Sequence, residues 1–390
     1  VDSTCSSNTS RLSSSRTALS SSNGNSCDGC EMTPAQSSAV LAKVAEALKD
    51  QGMLNSSNLL NLMPKIVELV QKNLKEAELD QNGDQITRVV KNMLGTLISK
   101  MNGKEAFMSP SSAEPGLTVQ TTLLKQITST SISNLGEAFE TKHSSGRSNS
   151  KNHDRSASAL AKDAGSLIGA IVGSMGSSGM NVEDLSSTMK EVTGAAVASL
   201  ENVDGMDSAN LGDALQEITS EATAAISQAI EDVKENSSLS VSSDLISSLV
   251  SSATSGATEK IGEIDIPGFT SDDLSSIVEK VTKGATSGLG KMVASTDENI
   301  ELSSLVSEIS SSATESLDQI EMPGFDSEDL SSILEGVAKG ASEGLEDIET
   351  SNANDKLALL EKIQEGTTEA LETIEMDGFD ADEQKETLEK

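Results

Sequence analysis

The chain has no Trp and no Tyr, and its 390 residues include five Phe. Aromatic rings supply large buried areas, so any core here must rest on Leu, Ile, Val, Met and Ala. A deep, specific small-molecule pocket is not expected from such a palette. Histidine is almost as scarce, with His143 and His153 the two copies, ten residues apart in a polar stretch. With two His, three Cys and no Tyr, the usual general acids and bases are nearly missing, and an enzyme is not expected. No serine sits in a GxSxG context and no P-loop occurs. No stretch reaches the roughly 18 apolar residues that would span a bilayer.

Positive charge is also short. Lys and Arg total 28 against 62 Asp and Glu, a net charge of −34. That balance repels nucleic acid and anionic membranes. It favours divalent cations, basic partners or a mineral face. The basic residues lean towards residues 1–180, with a local group at Lys142, Arg147, Lys151 and Arg155.

The three cysteines, Cys5, Cys27 and Cys30, all lie in the Ser-rich start. Cys27 and Cys30 have CxxC spacing. A zinc site needs a second ligand pair and a redox motif needs a βαβ setting, and neither is visible. Cross-linking is the expected role, with one thiol spare for an intermolecular bond in an oxidising compartment. The sequence opens with Val, so we expect a processed chain or a fragment, which leaves room for a signal peptide already removed. If secreted, it carries glycosylation sequons at Asn8, Asn55 and Asn236.

Four regions follow from composition and periodicity. Residues 1–37 are Ser, Asn and Thr with few apolar side chains and are expected to be disordered. Residues 38–102 are expected to form a helical domain. Their apolar stripes are Val40, Leu41, Val44, Leu48; then Leu59, Leu62, Met63, Ile66, Val67, Val70; then Ile86, Val89, Val90, Met93, Leu97. Residues 103–158 read as a polar linker with a short helix near Leu117–Phe139. Residues 159–390 read as an acidic helical-repeat region.

The repeat is the strongest pattern present. Leu330, Ile333, Leu334, Val337, Ala341, Leu345 and Ile348 recur 28 residues earlier as Leu302, Leu305, Val306, Ile309, Ala313, Leu317 and Ile320. They recur again as Leu274, Ile277, Val278, Val281, Ala285, Leu289 and Met292, and once more as Ile246, Leu249, Val250, Ala253, Ala257, Ile261 and Ile264. Weaker copies run from Leu211, from Leu185 and from Leu160, and a later one holds Leu359, Leu360, Ile363, Leu371 and Ile374. The spacings place each set on one face of a helix about 20 residues long.

Connections of about 7 residues should make neighbouring helices antiparallel. Every second connection carries a turn: Pro267-Gly268-Phe269, Pro323-Gly324-Phe325, then Asp377-Gly378-Phe379. The expected fold is therefore all-α, tandem antiparallel helix hairpins of about 28 residues per helix and 56 per hairpin. Thr270/Asp273 and Asp326/Asp329 have capping-box spacing at the following helix starts. Gly284, Gly288, Gly336, Gly340 and Gly344 are expected on exposed faces, where they would soften the helices.

Asp80, Asn82 and Asp84 are candidate calcium ligands, because Asp80-Gln81-Asn82-Gly83-Asp84 opens like an EF-hand loop. The sixth place is Gln85 and the twelfth Lys91, so a helix-connecting turn is the expected reading of the segment, with weak calcium contact as the alternative. Glu343, Glu346, Asp347 and Glu349 cluster at a helix end, opposing its dipole unless a cation or basic partner is present. Solvated surface charge and weak calcium binding both account for such a cluster. No cofactor beyond weakly bound calcium is expected.

The segment Gly52-Met53-Leu54-Asn55-Ser56-Ser57-Asn58-Leu59-Leu60, followed by Ile66-Val67, resembles a stretch in the helical repeat units of spider silk fibroins. The chain is more acidic than such proteins and has no poly-Ala or Gly-rich block. The resemblance implies an extracellular fibre or egg-case component and brings no catalytic or binding residue. Function is thus expected to be structural, non-enzymatic and secreted, with self-association or other matrix proteins as partners. An acidic, calcium-associated protein of a shell or skeleton is the first alternative. An intracellular helical-repeat binding scaffold is the second.

Overall fold

A computed structural model describes residues 150–176, 180, 182–203, 206–236, 241–266, 268–295, 301–320, 327–348 and 353–373, with positions 121, 124, 125, 128, 129, 132 and 133. Among these residues the protein is all-helical and contains no strand. The helices are α1 (Ser150–Met175), α2 (Val182–Ala198), α3 (Ser208–Asn236), α4 (Ser243–Glu259), α5 (Ser271–Ser295), α6 (Leu302–Glu315), α7 (Ser327–Gly344) and α8 (Ala353–Thr373).

Helix starts follow from local chemistry. At α5 the Thr270 hydroxyl accepts from the Asp273 N–H at 3.2 Å, and an Asp273 carboxylate oxygen accepts from the Thr270 N–H at 3.0 Å. This reciprocal pair is the capping box expected from the spacing. Ser242 caps α4 by accepting from the Leu245 N–H. Asp207 accepts from the Asn210 N–H at 2.8 Å at the start of α3. Before α5, Phe269 N–H donates to the Ile266 carbonyl at 3.1 Å, and Gly268 holds φ at 81°. A tight turn with positive φ at its third residue needs glycine there. Phe269 is partly buried against the core beneath that turn.

Helix ends depart from the periodic expectation. Tighter 3₁₀ turns, Ser199–Asn202, Lys260–Glu263, Ser316–Gln319 and Leu345–Asp347, follow α2, α4, α6 and α7. The last apolar residue of each unit, Ile264, Ile320 or Ile348, lies beyond that turn in extended backbone and is still buried. A 3₁₀ turn has three residues per turn, so Ile261 and Ile264 return to one face. Spacings of three and four alone do not distinguish this from continued α-helix.

The expected stripes are the core. Leu274, Ile277, Val278, Val281, Ala285, Leu289 and Met292 are all buried, as are their counterparts from Leu330, from Leu305 and from Ile246. One hydrophobic cluster runs without a break from Leu124 to Leu371. Each Leu, Ile or Val so buried contributes about 1.5–3 kcal/mol.

Each helix packs chiefly on the helix two places along the chain. One rank holds α1, α3, α5 and α7 and the other holds α2, α4, α6 and α8. The second rank extends to the helical positions at 121–133, because Thr121 meets Thr188 at 2.6 Å and Lys125 pairs with Glu191 at 2.6 Å, both on α2. Within a rank, contacting residue numbers rise together: Ser275 with Ser332, Lys283 with Glu343, Ser287 with Asp347. Stacked helices therefore run parallel. The partners are separated by 60 residues for Lys283–Glu343 and for Ser287–Asp347, about one helical turn beyond the sequence period. Helix α1 begins at Ser150 and takes in His153.

Candidate functional site

The chemistry of this protein is concentrated on the seams between stacked helices. Glycine makes the seams possible. Gly284, Gly288, Gly336, Gly340 and Gly344 are buried, contrary to their expected place on exposed faces. A Cβ at Gly336 would stand 2.6 Å from the Ser275 carbonyl oxygen, and one at Gly344 would stand 2.8 Å from that of Lys283. At Gly340 it would overlap the Glu279 carbonyl. The cause is small-residue packing at four-residue spacing, which lines glycines up on one side of α7 and lets the α5 backbone come close. Periodicity of large apolar residues carries no mark of this second face.

Hydroxyls fill the rest of the seam. Ser186 and Ser248 meet at 2.7 Å, Ser251 and Ser312 at 2.6 Å, and Ser227 and Ser295 at 2.9 Å, each pair joining two stacked helices. Buried Thr254, Thr282 and Thr314 return their hydroxyls to carbonyls four residues earlier in their own helices. A small polar side chain can thus be buried without losing its hydrogen bond.

Lysine rims the seams. Lys190 pairs with Glu259, Lys280 with Asp213, Lys283 with Glu343, Lys291 with Glu221 and Lys339 with Glu279, all between helices two apart. Exposed pairs of this kind contribute about 0–1 kcal/mol each. Their consistent placement gives register more than strength. It also supplies a basic partner at the acidic end of α7, the condition on which that cluster was expected not to oppose the helix dipole. Glu343 is held at 2.7 Å by Lys283, and Asp347 accepts from the Ser287 hydroxyl at 2.6 Å. The Lys283 hydrogen bond holds the Glu343 carboxyl below its usual range, and Glu343 raises Lys283 in return. Glu346 is exposed, and Glu349 lies outside the described residues.

Two other carboxylates are perturbed. Hydrogen bonds from Ser208 and then Thr270 lower Asp273. Glu308, half-buried on α6, is pushed up by burial against a hydrogen bond from Ser251, and Glu315 adds to the rise.

The remaining candidates fall elsewhere. Asp80, Asn82, Asp84, Cys5, Cys27, Cys30, Asn8 and Asn55 lie outside the described residues, as do Asp326, Phe325 and Phe379. Asn236 is the last residue of α3. Among the described residues no group of three or more His, Cys, Asp or Glu is placed to hold a metal ion. No helix among them is long and apolar enough to cross a membrane. No protein-family model matches the chain, and no curated protein matches it closely enough to count as a relative.

Proposed function

We propose that the chain is a secreted, non-enzymatic structural protein whose acidic helical repeats assemble into an extracellular material of the silk or egg-case kind. The repeating unit in this reading is an antiparallel helix hairpin of about 56 residues, which gives one helix to each rank. The Ser-rich start, residues 1–37, is a disordered tether bearing the cross-linking cysteines. The observation that carries the proposal is the parallel stacking of every second helix through glycine and serine seams. Such an arrangement is open-ended: a rank can be lengthened without altering the helices already in it. Its outward faces are left acidic and hydrated, which suits a concentrated, soluble precursor. The silk-like segment at residues 52–60 and the odd number of cysteines support the same reading. The calcium-associated alternative is less well supported, since Glu343 and Asp347 already have partners within the chain.

Sedimentation velocity and light scattering of the full chain, across a concentration series with and without reductant, test the proposal. Concentration-dependent assembly, larger without reductant, is expected. A chain that stays monomeric at high concentration in both conditions contradicts it.

A further inference from the structure

The seams of the rank α1, α3, α5, α7 follow one pattern. On α5 the carbonyls of Ser275, Glu279 and Lys283 lie against Gly336, Gly340 and Gly344 of α7. On α3 those of Gln216 and Ser220 lie against Gly284 and Gly288 of α5, and Gly212 meets the Lys280 side chain. On α1, Gly165, Gly169 and Gly173 lie against Glu217, Glu221 and Gln228 of α3. Each set begins one residue after a member of the apolar stripe, at Leu274, Leu211 and Ala164, and recurs every fourth residue. That spacing keeps a set on one flank of its helix.

The same arrangement stands upstream of α1. Ile86, Val89, Val90, Met93, Leu97 and Met101 repeat the spacing of Leu274, Ile277, Val278, Val281, Ala285 and Leu289. One residue after Ile86 begins the set Thr87, Lys91, Gly95 and Ser99, small except for the lysine and again at every fourth residue. These residues lie outside the described ones. Their place in the alternation is nevertheless set. The helical positions at 121–133 are joined to α2 through Thr121–Thr188 and Lys125–Glu191, so they belong to the other rank. A unit before them falls into the rank of α1.

Helix α1 is shielded where such a unit would lie. Its glycines meet α3 on one flank of the apolar stripe. Asp163 and Ala170 share the other flank, two turns apart. Asp163 is 3% exposed and Ala170 is half-buried. A carboxylate so buried needs donors or a cation about it. Residues 86–101 carry Arg88, Lys91 and Lys100 and no acid.

We infer that residues 86–101 form the helix that precedes α1 in its rank and dock on the Asp163 flank of α1, with Thr87, Lys91, Gly95 and Ser99 as the seam. The inference concerns contact within one chain and goes beyond the assembly proposed above. It joins the helical segment at 38–102 to the array, in place of a separate domain on a polar linker.

The test is cross-linking of the full chain with Cys5, Cys27 and Cys30 replaced by Ser. T87C/A170C and K91C/A170C cover two registers one helical turn apart. T87C/S304C, whose second site is exposed on α6, is the control. Each is treated with a short bismaleimide under native conditions, with helicity checked by circular dichroism. Cross-linked monomer is expected from at least one α1 pair, roughly tenfold or more faster than from the control, and lost in urea. Hydrogen exchange of the unsubstituted chain needs no variant to fold. There the amides of 86–101 are expected to be protected and to open together with those of α1 as urea is raised. Unprotected amides in 86–101 overturn the inference, as do α1 pairs that link no faster than the control in variants of wild-type helicity. Cross-linked dimer in place of monomer also overturns it, because a second copy then fills the flank.

Discussion

Glycine in the middle of a helix ordinarily weakens it by about 1 kcal/mol relative to alanine. At Gly340 the sign should reverse. A methyl group there overlaps the Glu279 carbonyl of the stacked helix, and overpacking of this sort costs about 1–3 kcal/mol. G340A is therefore expected to lower stability in urea or thermal melts. E335A, an exposed change on the same helix, is expected to stay within about 0.5 kcal/mol of wild type.

Charge at single residues sets the acid response. The folded pKa values of Asp273 and Glu343 lie below their ordinary values of 3.8 and 4.5. Their contribution is complete above those ordinary values and is lost as pH falls through the depressed ones. Glu308 has the opposite sign, because its folded pKa is raised by burial. Ionised Glu308 disfavours the fold at neutral pH, and that penalty disappears once pH falls below its ordinary value. E308Q is thus expected to be more stable than wild type near pH 7 and to lose that advantage in acid. Paired urea titrations at the two pH values check it. An equal gain at both would show that burial of charge is not the cause.

At the level of the helix, each element is a rod with two working faces. One bears the large apolar stripe that meets the opposite rank. The other bears Gly and Ser and meets the next member of its own rank. Ends are fixed by separate devices: the Thr270/Asp273 box at the start of α5, 3₁₀ turns at several ends, and the positive φ of Gly268 between α4 and α5. G268A is expected to cost about 1–2 kcal/mol through left-handed strain, since space around that position is open and no clash contributes.

Alternation between ranks gives a sharper expectation. Removing residues 271–326 takes out one helix from each rank and brings α7 into the place of α5. Removing a single 28-residue unit, 271–298, places every later helix in the wrong rank, with its glycine seam facing the wrong neighbour. The longer deletion is expected to keep a cooperative thermal transition and helicity in proportion to length. The shorter one is expected to lose cooperativity. Circular dichroism melts of the two proteins compare them directly.

Across the whole molecule, the parts of the fold legible in the sequence are those carried by large apolar residues. The seven-position pattern from Leu274 to Met292 and its copies located both the helices and the core, because burial of Leu, Ile and Val leaves a period. The capping box at Thr270 was legible for a similar reason, as two residue types at a fixed spacing. The seams were not. Glycine and serine are abundant throughout this chain, so nothing marks Gly340 as buried until Glu279 is seen beside it. The partners of Lys283 and Ser287 were hidden because they lie 60 residues away. The exposure of Leu360 was not legible because the repeat pattern includes it, at the place where Val306 is fully buried in the preceding unit of its rank.

Everything at this scale depends on each helix stacking on the helix two places along. Ser251 on α4 and Ser312 on α6 are the most direct probe, with hydroxyl oxygens 2.6 Å apart. In a background where Cys5, Cys27 and Cys30 are replaced by Ser, S251C/S312C should form an intrachain disulfide under mild oxidation, seen as a reductant-sensitive mobility shift of the monomer. If both thiols stay free to label in the folded protein under the same oxidant, α4 and α6 are not neighbours and the two-rank array is wrong.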